Sequence, residues 1–321
     1  MKLVARTALM LISLLGLTGT AFAQDYPSKV VQLVVPYPPG GVVDLTGRIL
    51  ADQLNRTTGG RFIVVNKPGA GGTIGAEFVA RAPADGYTLC ICGAATNAFA
   101  PFIYKDLRYD PTKDFEPVTL FTEGPLVLTV NAASSLKNLD DFFAMLKENG
   151  SKVDYSSNGV GTFPHLSVEL LKQATSTQAT HIPYQGGGKA VTALIANEVG
   201  FTQNHLPIIA PHIKSGRLRP LATTGESRSA VFPDVPTLKE SGYDVVATAW
   251  FGVFAPAGTP QSIVQILSKA MAMAAKSPEL REKIALQGDE LRVEGPAALK
   301  AFQAAELKKW KAVITAVEIK Q

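Results

Sequence analysis

Two glycine-rich loops are the segments of this sequence best suited to bind a ligand. They are residues 36–44 (PYPPGGVVD) and residues 66–75 (NKPGAGGTIG), and each lies between a predicted strand and a predicted helix. Glycine lets backbone N–H groups approach a bound group closely, and a helix N-terminus carries a partial positive charge. Two such loops at neighbouring strand ends predict a site for an anion, most simply a carboxylate.

The second loop does not match the common nucleotide-binding patterns. Gly69, Gly71 and Gly75 give G-x-G-x-x-x-G instead of the dinucleotide fingerprint G-x-G-x-x-G, and no acid follows the next strand. The Gly-Lys-Ser/Thr of a Walker A loop is also absent. Asp44, in the first turn of the helix after the first loop, either faces the site or complements the helix dipole.

The middle third of the chain repeats the arrangement of a polar glycine loop before a helix, in residues 156–165 (SSNGVGTFPH) and 184–190 (YQGGGKA). Thr162 is a candidate N-cap residue. His165 lies in the first helical turn, where a cation is disfavoured, so we expect a neutral, hydrogen-bonding ring. Lys189 lies at a helix start too, where it is either solvated or faces an anion.

Catalytic and metal-binding patterns are largely missing from the sequence. It contains no G-x-S-x-G elbow and no H-E-x-x-H, and its four histidines lack zinc-type spacing. We therefore predict no enzyme activity, no metal and no cofactor. A secreted hydrolase stays open as an alternative, with Thr162 or Ser157 as nucleophile and His165 as base.

The two cysteines, Cys90 and Cys92, lie two residues apart in an apolar run that is typical of a buried strand. On a straight strand their Cα atoms are about 6.6 Å apart, which is near the upper limit for a disulfide. We therefore expect buried free thiols.

The N-terminus has the three parts of an export signal in the right order. Lys2 and Arg6 precede an apolar stretch, residues 8–17, which is too short to span a bilayer, and Ala21-Phe22-Ala23 provides a cleavage pattern. We predict a signal peptide over residues 1–23, cleavage after Ala23 and a periplasmic location. An uncleaved membrane anchor is the alternative.

Composition and charge narrow the class of protein. The chain has 321 residues, of which 46% are apolar and 18% charged, and this is typical of a globular protein of about two domains. The formal net charge of +4, without a dense basic run, argues against a nucleic-acid partner.

The predicted elements alternate between strands and helices, which indicates an α/β protein with parallel sheets covered on both faces. Strands are predicted at residues 30–35, 62–65, 88–92, 118–121, 127–130, 181–184, 218–223 and 251–255. Helices are predicted at residues 43–55, 74–81, 139–148, 164–173, 190–197, 260–276, 278–287 and 296–317, and the last three should cover the first domain. Residues 109–125 and 225–236 are candidate domain crossings, which would make a hinge between two lobes.

Six segments of the chain resemble the Bug family, the extracytoplasmic substrate-binding proteins of tripartite tricarboxylate transporters. They are YPSKVVQLVVPYPPGGVVD, NKPGAGGTIGAEFVARAPADGYTL, YDPTKDFEPVTL, SSNGVGTFPHLSVELLK, HIPYQGGGKAVTALIANEVG and FPDVPTLKESGYDVVATAWFGVFAPAGTP. The segments occur in the family's order and span essentially the whole chain after residue 23.

The resemblance implies a two-lobed periplasmic binding protein fold of type II, in which each lobe is a mixed sheet flanked by helices and two crossing segments join the lobes. It assigns residues 24–122 and 227–321 to the first domain and residues 123–226 to the second. The implied partners are a di- or tricarboxylate or an aromatic acid, and the small and large membrane subunits of a transporter. The implied receptor is a monomer.

The family's binding residues, carried over by position, fall in both lobes. The first lobe contributes Pro39, Gly40, Gly41, Asp44, Ala70, Gly71, Gly72, Thr73, Thr96 and Asn97. The second lobe contributes Thr162, His165, Tyr184, Gln185, Gly186 and Asn204.

Two departures from the family pattern concern the ligand. Asn204 stands where members often carry an acid, which disfavours amino-acid ligands. Lys189 replaces a commoner proline and could pair with a second carboxylate if it points inward. Phe163 and Tyr184 could stack on an aromatic ligand or pack in the core. A signalling receptor is a further alternative that the sequence does not separate from transport.

Overall fold

The computed structural model describes residues 26–317, so the export signal predicted for residues 1–23 lies outside the described residues. The strands are β1 (Val31–Val35), β2 (Phe62–Asn66), β3 (Thr88–Gly93), β4 (Phe115–Asn131), β5 (Asp154–Ser157), β6 (Thr180–Pro183), β7 (Phe201–His205), β8 (Leu218–Thr223), β9 (Thr248–Pro256) and β10 (Glu290–Glu294). The helices are α1 (Val42–Thr58), α2 (Thr73–Ala80), α3 (Ala100–Ile103), α4 (Leu139–Asn149), α5 (Phe163–Thr175), α6 (Gly187–Ile195), α7 (Leu206–Lys214), α8 (Gln261–Ala274), α9 (Pro278–Leu286) and α10 (Pro296–Val317). A short π-helix, Ala95–Phe99, leads into α3.

The strands form a mixed sheet in the order β2-β1-β3-β9-β4-β7-β5-β6, and β8 and β10 also pair with β4. β1 is parallel to β2 and β3, and β5 is parallel to β6 and β7. β4 and β9 run antiparallel to their neighbours, so the sheet is mixed, as the family resemblance implies, and the parallel sheets expected from the alternation of strands and helices are wrong. The physical reason is that β4 carries the chain out of one half of the sheet and β9 runs back beside it.

β4 is one long strand where the sequence predicts two. Its first part, as far as Pro125, pairs with β9, and its second part, from Leu126, pairs with β7 and β8. The register of β4 against β9 shifts next to Pro117 and again after Leu120, and the regular hydrogen-bond ladder is interrupted at these two places. The prolines of the predicted linker at residues 109–125 therefore lie partly within a strand.

The two parts of β4 belong to the two lobes of the molecule. The first lobe consists of the sheet of β1, β2, β3, β9, β10 and the first part of β4, together with the helices α1–α3 and α8–α10. The second lobe is the sheet of β5–β8 and the second part of β4, with α4–α7. The C-terminal helices cover the first lobe, as predicted, because Leu299 and Trp310 are buried in one core with Phe254. Leu238 and Val245 pack instead in the core of the second lobe.

Three strands are absent from the sequence-based prediction: β5, β7 and β10. β5 reads DYSS and β7 reads FTQNH, so neither contains the apolar β-branched run that indicates a strand. Both are nevertheless largely buried, and their hydroxyl side chains donate to backbone carbonyls. Ser156 donates to the Ala190 carbonyl, and Thr202 donates to the Ser156 carbonyl.

The prediction of free thiols is wrong. Cys90 and Cys92 form a disulfide, and their Cα atoms are 5.3 Å apart. The estimate for a straight strand is longer, and this local contraction of β3 brings the cysteines within the usual range for a disulfide. Both side chains are fully buried in the first lobe.

Candidate ligand-binding cleft

A cleft of about 630 Å³ lies between the lobes, beyond the carboxyl ends of the parallel strands. The first lobe lines it with Tyr37, Pro38, Pro39, Gly40, Gly41, Val42, Val43, Gly71, Ala94, Ala95, Ile103, Tyr104, Ala249, Trp250 and Phe251. The second lobe lines it with Asn158, Val160, Gly161, Thr162, Phe163, Pro164, Gly186 and His205. The lobes touch at its edge, because a Cβ atom on Gly161 would lie 3.0 Å from Ile103 Cδ1.

Several helices point their N-termini at this cleft. The lining residues include the start of α1, the start of the π-helix, the start of α5 and the residues that precede α6 and α7. None of the lining residues is Lys, Arg, Asp or Glu. The positive potential in the cleft therefore comes from peptide dipoles and open N–H groups, which favour an anion.

The first glycine loop is held by the buried carboxylate of Asp44. This carboxylate accepts hydrogen bonds from the Gly40 N–H at 2.9 Å, from Arg48 Nε at 3.0 Å and from Asn66 Nδ2 at 2.9 Å. Burial raises the pKa of Asp44, but these hydrogen bonds outweigh burial and leave the pKa below its ordinary value. Asp44 therefore shapes the loop and does not line the cleft.

The same loop leaves backbone donors open at the start of α1. Leu45 N donates to the Gly41 carbonyl, which is the first bond of the helix. Among the described residues, the N–H groups of Gly41, Val42 and Val43 have no hydrogen-bond partner. All three residues line the cleft, so these N–H groups are available to a ligand.

The second glycine loop contributes Gly71 alone. Gly72 turns away from the cleft, because a Cβ atom there would lie 2.9 Å from Thr96 Cγ2 and 3.3 Å from the Tyr37 ring. Thr73 also stays within its own loop, where its hydroxyl donates to the Ala70 carbonyl at 2.9 Å. Ala70, Gly72 and Thr73 thus build the loop without lining the cleft.

Two tyrosine hydroxyls add donors that the sequence does not predict. A Cβ atom on Gly71 would lie 2.5 Å from Tyr104 Oη, and the Tyr37 hydroxyl lies over Gly72. Neither hydroxyl has a partner among the described residues, and burial raises the pKa of both groups, so both stay protonated. Tyr37 lies within the predicted loop and could have been found there, whereas nothing in the sequence around Tyr104 points to this site.

Thr96 and Asn97 lie behind the cleft wall, in the π-helix. The Thr96 hydroxyl bonds to the Gly93 backbone, and Tyr109 donates to the Thr96 carbonyl at 2.8 Å. The Asn97 side chain is fully buried, and its amide has no partner among the described residues. Neither residue lines the cleft.

In the second lobe, a buried network holds the loop of residues 157–162. His165 Nδ1 accepts from the Gly161 N–H at 3.1 Å, and the Ser157 hydroxyl lies 2.6 Å from His181 Nε2. The two imidazole rings stack with their centroids 3.8 Å apart. Burial lowers the pKa of each histidine to about 4, so both rings are neutral at pH 7. His165 therefore orders the loop and does not line the cleft.

The other predicted residues of the second lobe also act mainly on their neighbours. Thr162 is the N-cap residue of α5, but its hydroxyl donates to the Gly159 carbonyl at 2.7 Å instead of capping the helix. Asn204 bonds to the side chain of Asn158, which does line the cleft.

Tyr184 and Gln185 lie outside the cleft. The Tyr184 hydroxyl points to Glu198, so the predicted stacking role is not supported for this residue. Gln185 accepts from Lys189 at 3.1 Å, and Lys189 is exposed. Of the sixteen predicted site residues, those that line the cleft are Pro39, Gly40, Gly41, Gly71, Thr162 and Gly186.

Comparisons with known proteins decide the family. The model of the tripartite tricarboxylate transporter family receptors (TctC) matches residues 46–319. The chain belongs to this family. Protein BugT of Bordetella pertussis is 35% identical to it over 305 residues, which are 94% of each chain. Among solved structures, R. palustris Rpa4515 with adipate has a TM-score of 0.81 at 32% identity, and the match covers 91% of this chain and 98% of that one. MatC from Rhodopseudomonas palustris with bound malate has a TM-score of 0.77 at 30% identity, covering 90% and 100%.

TctC receptors are periplasmic solute-binding proteins and not enzymes, so the alternative of a hydrolase is wrong for this chain. In the structure the Ser157 hydroxyl contacts His181 and not His165, so the proposed pair of Ser157 and His165 is not formed. Within residues 26–317, no helix combines the length and the apolar character needed to cross a bilayer.

Proposed function

We propose that this TctC receptor captures a small carboxylate in the cleft and delivers it to a tripartite tricarboxylate transporter. The observation that carries the proposal is the open N–H groups of Gly41, Val42 and Val43, in a cleft with no charged side chain in its lining. A carboxylate there accepts several charge-assisted hydrogen bonds, aided by the dipole of α1. The adipate and malate bound by two related structures support this choice of ligand class.

Binding on the first lobe comes before closure in this proposal. The open donors of the first lobe receive the carboxylate, and the second lobe then shuts over the ligand because it contacts the ligand only in the closed state. The loaded form presents its surface to the small and large membrane subunits. The receptor is a monomer, exported by the signal of residues 1–23 and cleaved after Ala23.

The domain division is part of the proposal. Residues 24–122 and 227–321 form the first domain, and residues 123–226 form the second. The change of partners at Pro125 and Leu126 in β4 supports the first boundary. The packing of Leu238 and Val245 in the second lobe favours moving the return boundary to the start of β9.

Calorimetric titration of the purified mature protein tests the carboxylate. Each acid is paired with its primary amide, which has nearly the same shape without the charge: adipate with adipamide, and benzoate with benzamide. We expect at least one acid to bind and to raise the Tm, while its amide does neither. Binding of the amides with equal affinity, or of no acid at all, would contradict the proposal.

Transport coupling needs a separate test. Cells that lack the receptor should lose uptake of the bound acid at micromolar concentration, and periplasmic expression of the receptor should restore it. A Gly41→Val receptor, which keeps its fold but has a blocked cleft, is the matched control. If cells without the receptor take up the acid normally, the receptor serves a pathway other than this uptake.

A further inference from the structure

A second cavity, of about 370 Å³, lies between the lobes at the strands that join them. The first lobe lines it with the end of α9 and the start of β10, and the second lobe lines it with the segment from Gly225 to Val231. We call this cavity the hinge pocket. It shares no lining residue with the ligand-binding cleft, so the two cavities are separate.

The order of the strands in the first lobe places the crossing strands β9 and β4 between the two cavities. This order is β2-β1-β3-β9-β4-β10. The first lobe's side of the cleft, its first wall, lies over the ends of β1 and β3, where Tyr37 and Ala94 line it. The hinge pocket lies over β4 and β10, where Glu123 pairs with Glu290. The cleft and the hinge pocket therefore lie on opposite sides of the connection between the lobes.

One buried residue, Thr224, holds the two crossing segments together. Its hydroxyl accepts a hydrogen bond from Leu126 N at 2.9 Å, in β4, and donates to the carbonyl of Ala247, directly before β9. Ala247 N donates to the Thr224 carbonyl at 2.9 Å. The connection is thus compact, as a pivot between two rigid lobes must be.

A second contact between the lobes continues this pivot. A Cβ atom on Gly288, in the loop before β10, would lie 2.8 Å from Leu206 Cβ in the second lobe. Gly288 lines the hinge pocket, whereas His205, the neighbour of Leu206, lines the cleft. The same division occurs along β9, where Thr248 lines the hinge pocket and Ala249 lines the cleft. The line of contacts between the lobes therefore runs between the two cavities.

The lobes are in contact on the cleft side and are not joined by charges across the hinge pocket. On the cleft side, Phe163 of the second lobe stacks on Phe99 of the first, with ring centroids 5.7 Å apart. At the hinge pocket, Arg292 pairs with Glu123 inside the first lobe, and Glu226 pairs with Lys239 inside the second. Within residues 26–317, no ion pair spans this pocket, so its width can change with the angle between the lobes.

From this arrangement we infer that the residues of the hinge pocket set how tightly the receptor holds its carboxylate, although none of them lines the cleft. A rotation that brings the second lobe toward the cleft moves it away from the hinge pocket. A side chain that fills the hinge pocket therefore opposes opening and raises the fraction of closed receptor, and the apparent affinity rises with that fraction. The inference rests on the proposed function, because it concerns the affinity of the same cleft.

Two filling variants, one on each wall of the hinge pocket, test the inference. Ala230 of the second lobe and Ala285 of the first both line the pocket and are exposed, so a tryptophan there does not enter the core. Calorimetry uses adipate or benzoate, whichever binds the parent protein more tightly. We expect Ala230→Trp and Ala285→Trp each to bind it at least about threefold more tightly. Stopped-flow kinetics should show slower dissociation, because release needs opening. Ala272→Trp is the control, since Ala272 is an exposed alanine of α8 that lines neither cavity.

Small-angle X-ray scattering without ligand gives a second readout, which does not depend on the choice of acid. The radius of gyration of both filling variants should be smaller than that of the parent protein and of Ala272→Trp. Unchanged or weaker binding in both filling variants, with binding by the parent protein intact, would overturn the inference and leave the proposed function standing. If the parent protein binds neither acid, the proposed function fails, and an unchanged radius of gyration would then overturn the inference as well.

Discussion

The Asp44 carboxylate accepts a hydrogen bond from the Gly40 N–H at 2.9 Å, and this bond closes the first glycine loop onto the helix that follows it. Gly40 has a φ of +83°, a left-handed conformation that glycine adopts without strain. With Gly40 tied back in this way, the next N–H groups, from Gly41 to Val43, stay open toward the cleft. Asp44, an acidic residue close to a site for an anion, is thus explained by the geometry of the loop and not by contact with the ligand.

Asp44→Asn should lower the free energy of unfolding by ~1–3 kcal/mol, because the amide cannot accept the hydrogen bonds of Gly40, Arg48 and Asn66 together. Urea denaturation measures this change. Asp52→Asn is the control, since Asp52 lies in the same helix and forms an exposed ion pair with Arg56. It should cost ~0.5 kcal/mol or less. Equal losses in the two variants would show that Asp44 does not organise the loop.

Gly41→Val should abolish acid binding while the protein stays folded. Gly41 has a φ of −78°, and a Cβ atom there would meet only the Pro38 carbonyl at 3.7 Å, so the valine fits the backbone and projects into the cleft. Gly188→Val is the control, because Gly188 also has open space but does not line the cleft. Calorimetry and circular dichroism check both variants. Parent-like affinity in Gly41→Val would remove the loop from the site. Gly72 is unsuited to this test, since its φ of +100° and its contact with Thr96 make any side chain disruptive.

Tyr37→Phe and Tyr104→Phe should each weaken acid binding by about tenfold, because each removes one hydroxyl donor from the first wall and keeps the ring. Tyr243→Phe is the matched control, since this ring stacks on Phe143 in the second lobe, away from the cleft. Calorimetric affinities with one acid decide the outcome. Unchanged affinity in both cleft variants would mean that the backbone N–H groups alone hold the carboxylate.

The sequence predicts which backbone segments form the site better than it predicts which side chains line it. Glycine spacing after a strand identifies the loop around Gly41, because the physical requirement is local. Tyr104 and Trp250 reach the cleft only through the packing of distant segments, so no local pattern points to them. Asp44 and His165 are the converse case. Their positions in the sequence suggest that they contact the ligand. In the structure they instead form hydrogen bonds with Gly40 and Gly161 and hold the two loops in place.

The prediction of strands and helices has the same limit, since it recognises local patterns but not contacts between distant segments. Apart from β4, which is predicted as two short strands, the strands with apolar β-branched runs are predicted with small errors at their ends, and helix α10 is predicted with its observed bounds. β5 and β7 are missed because buried serine, threonine, glutamine and asparagine form much of them, and the tertiary hydrogen bonds of Ser156 and Thr202 are not visible in any sequence periodicity. The disulfide of Cys90 and Cys92 depends on a contraction of β3 that an ideal strand does not show.

Asp289→Asn should raise the Tm at pH 8 and leave it nearly unchanged at pH 4. Burial raises the pKa of Asp289 to about 7, and its Oδ2 has no partner among the described residues. The folded state therefore holds the proton more tightly than the unfolded chain, and this stabilisation is lost as the pH rises from about 4 through 7. The asparagine stays neutral throughout. Glu290→Gln, at the exposed neighbouring acid, is the control. An equal gain at both pH values would exclude the proton as the cause.

Acid should destabilise the protein through its buried histidines. Burial lowers the pKa of His165, His181 and His205 to about 4, from an ordinary value of 6.5. Between pH 6.5 and 4 the unfolded chain binds protons that the folded protein does not, so the free energy of unfolding falls as the pH drops through this window. Asp289 has the opposite dependence over much of this range, so the measurement uses the Asp289→Asn background. Urea denaturation at pH 7, 5.5 and 4.5 should show the decline, and adding His205→Phe should make it shallower because one titrating ring is gone. A slope that His205→Phe leaves unchanged would mean that this ring is already exposed to protons in the folded state.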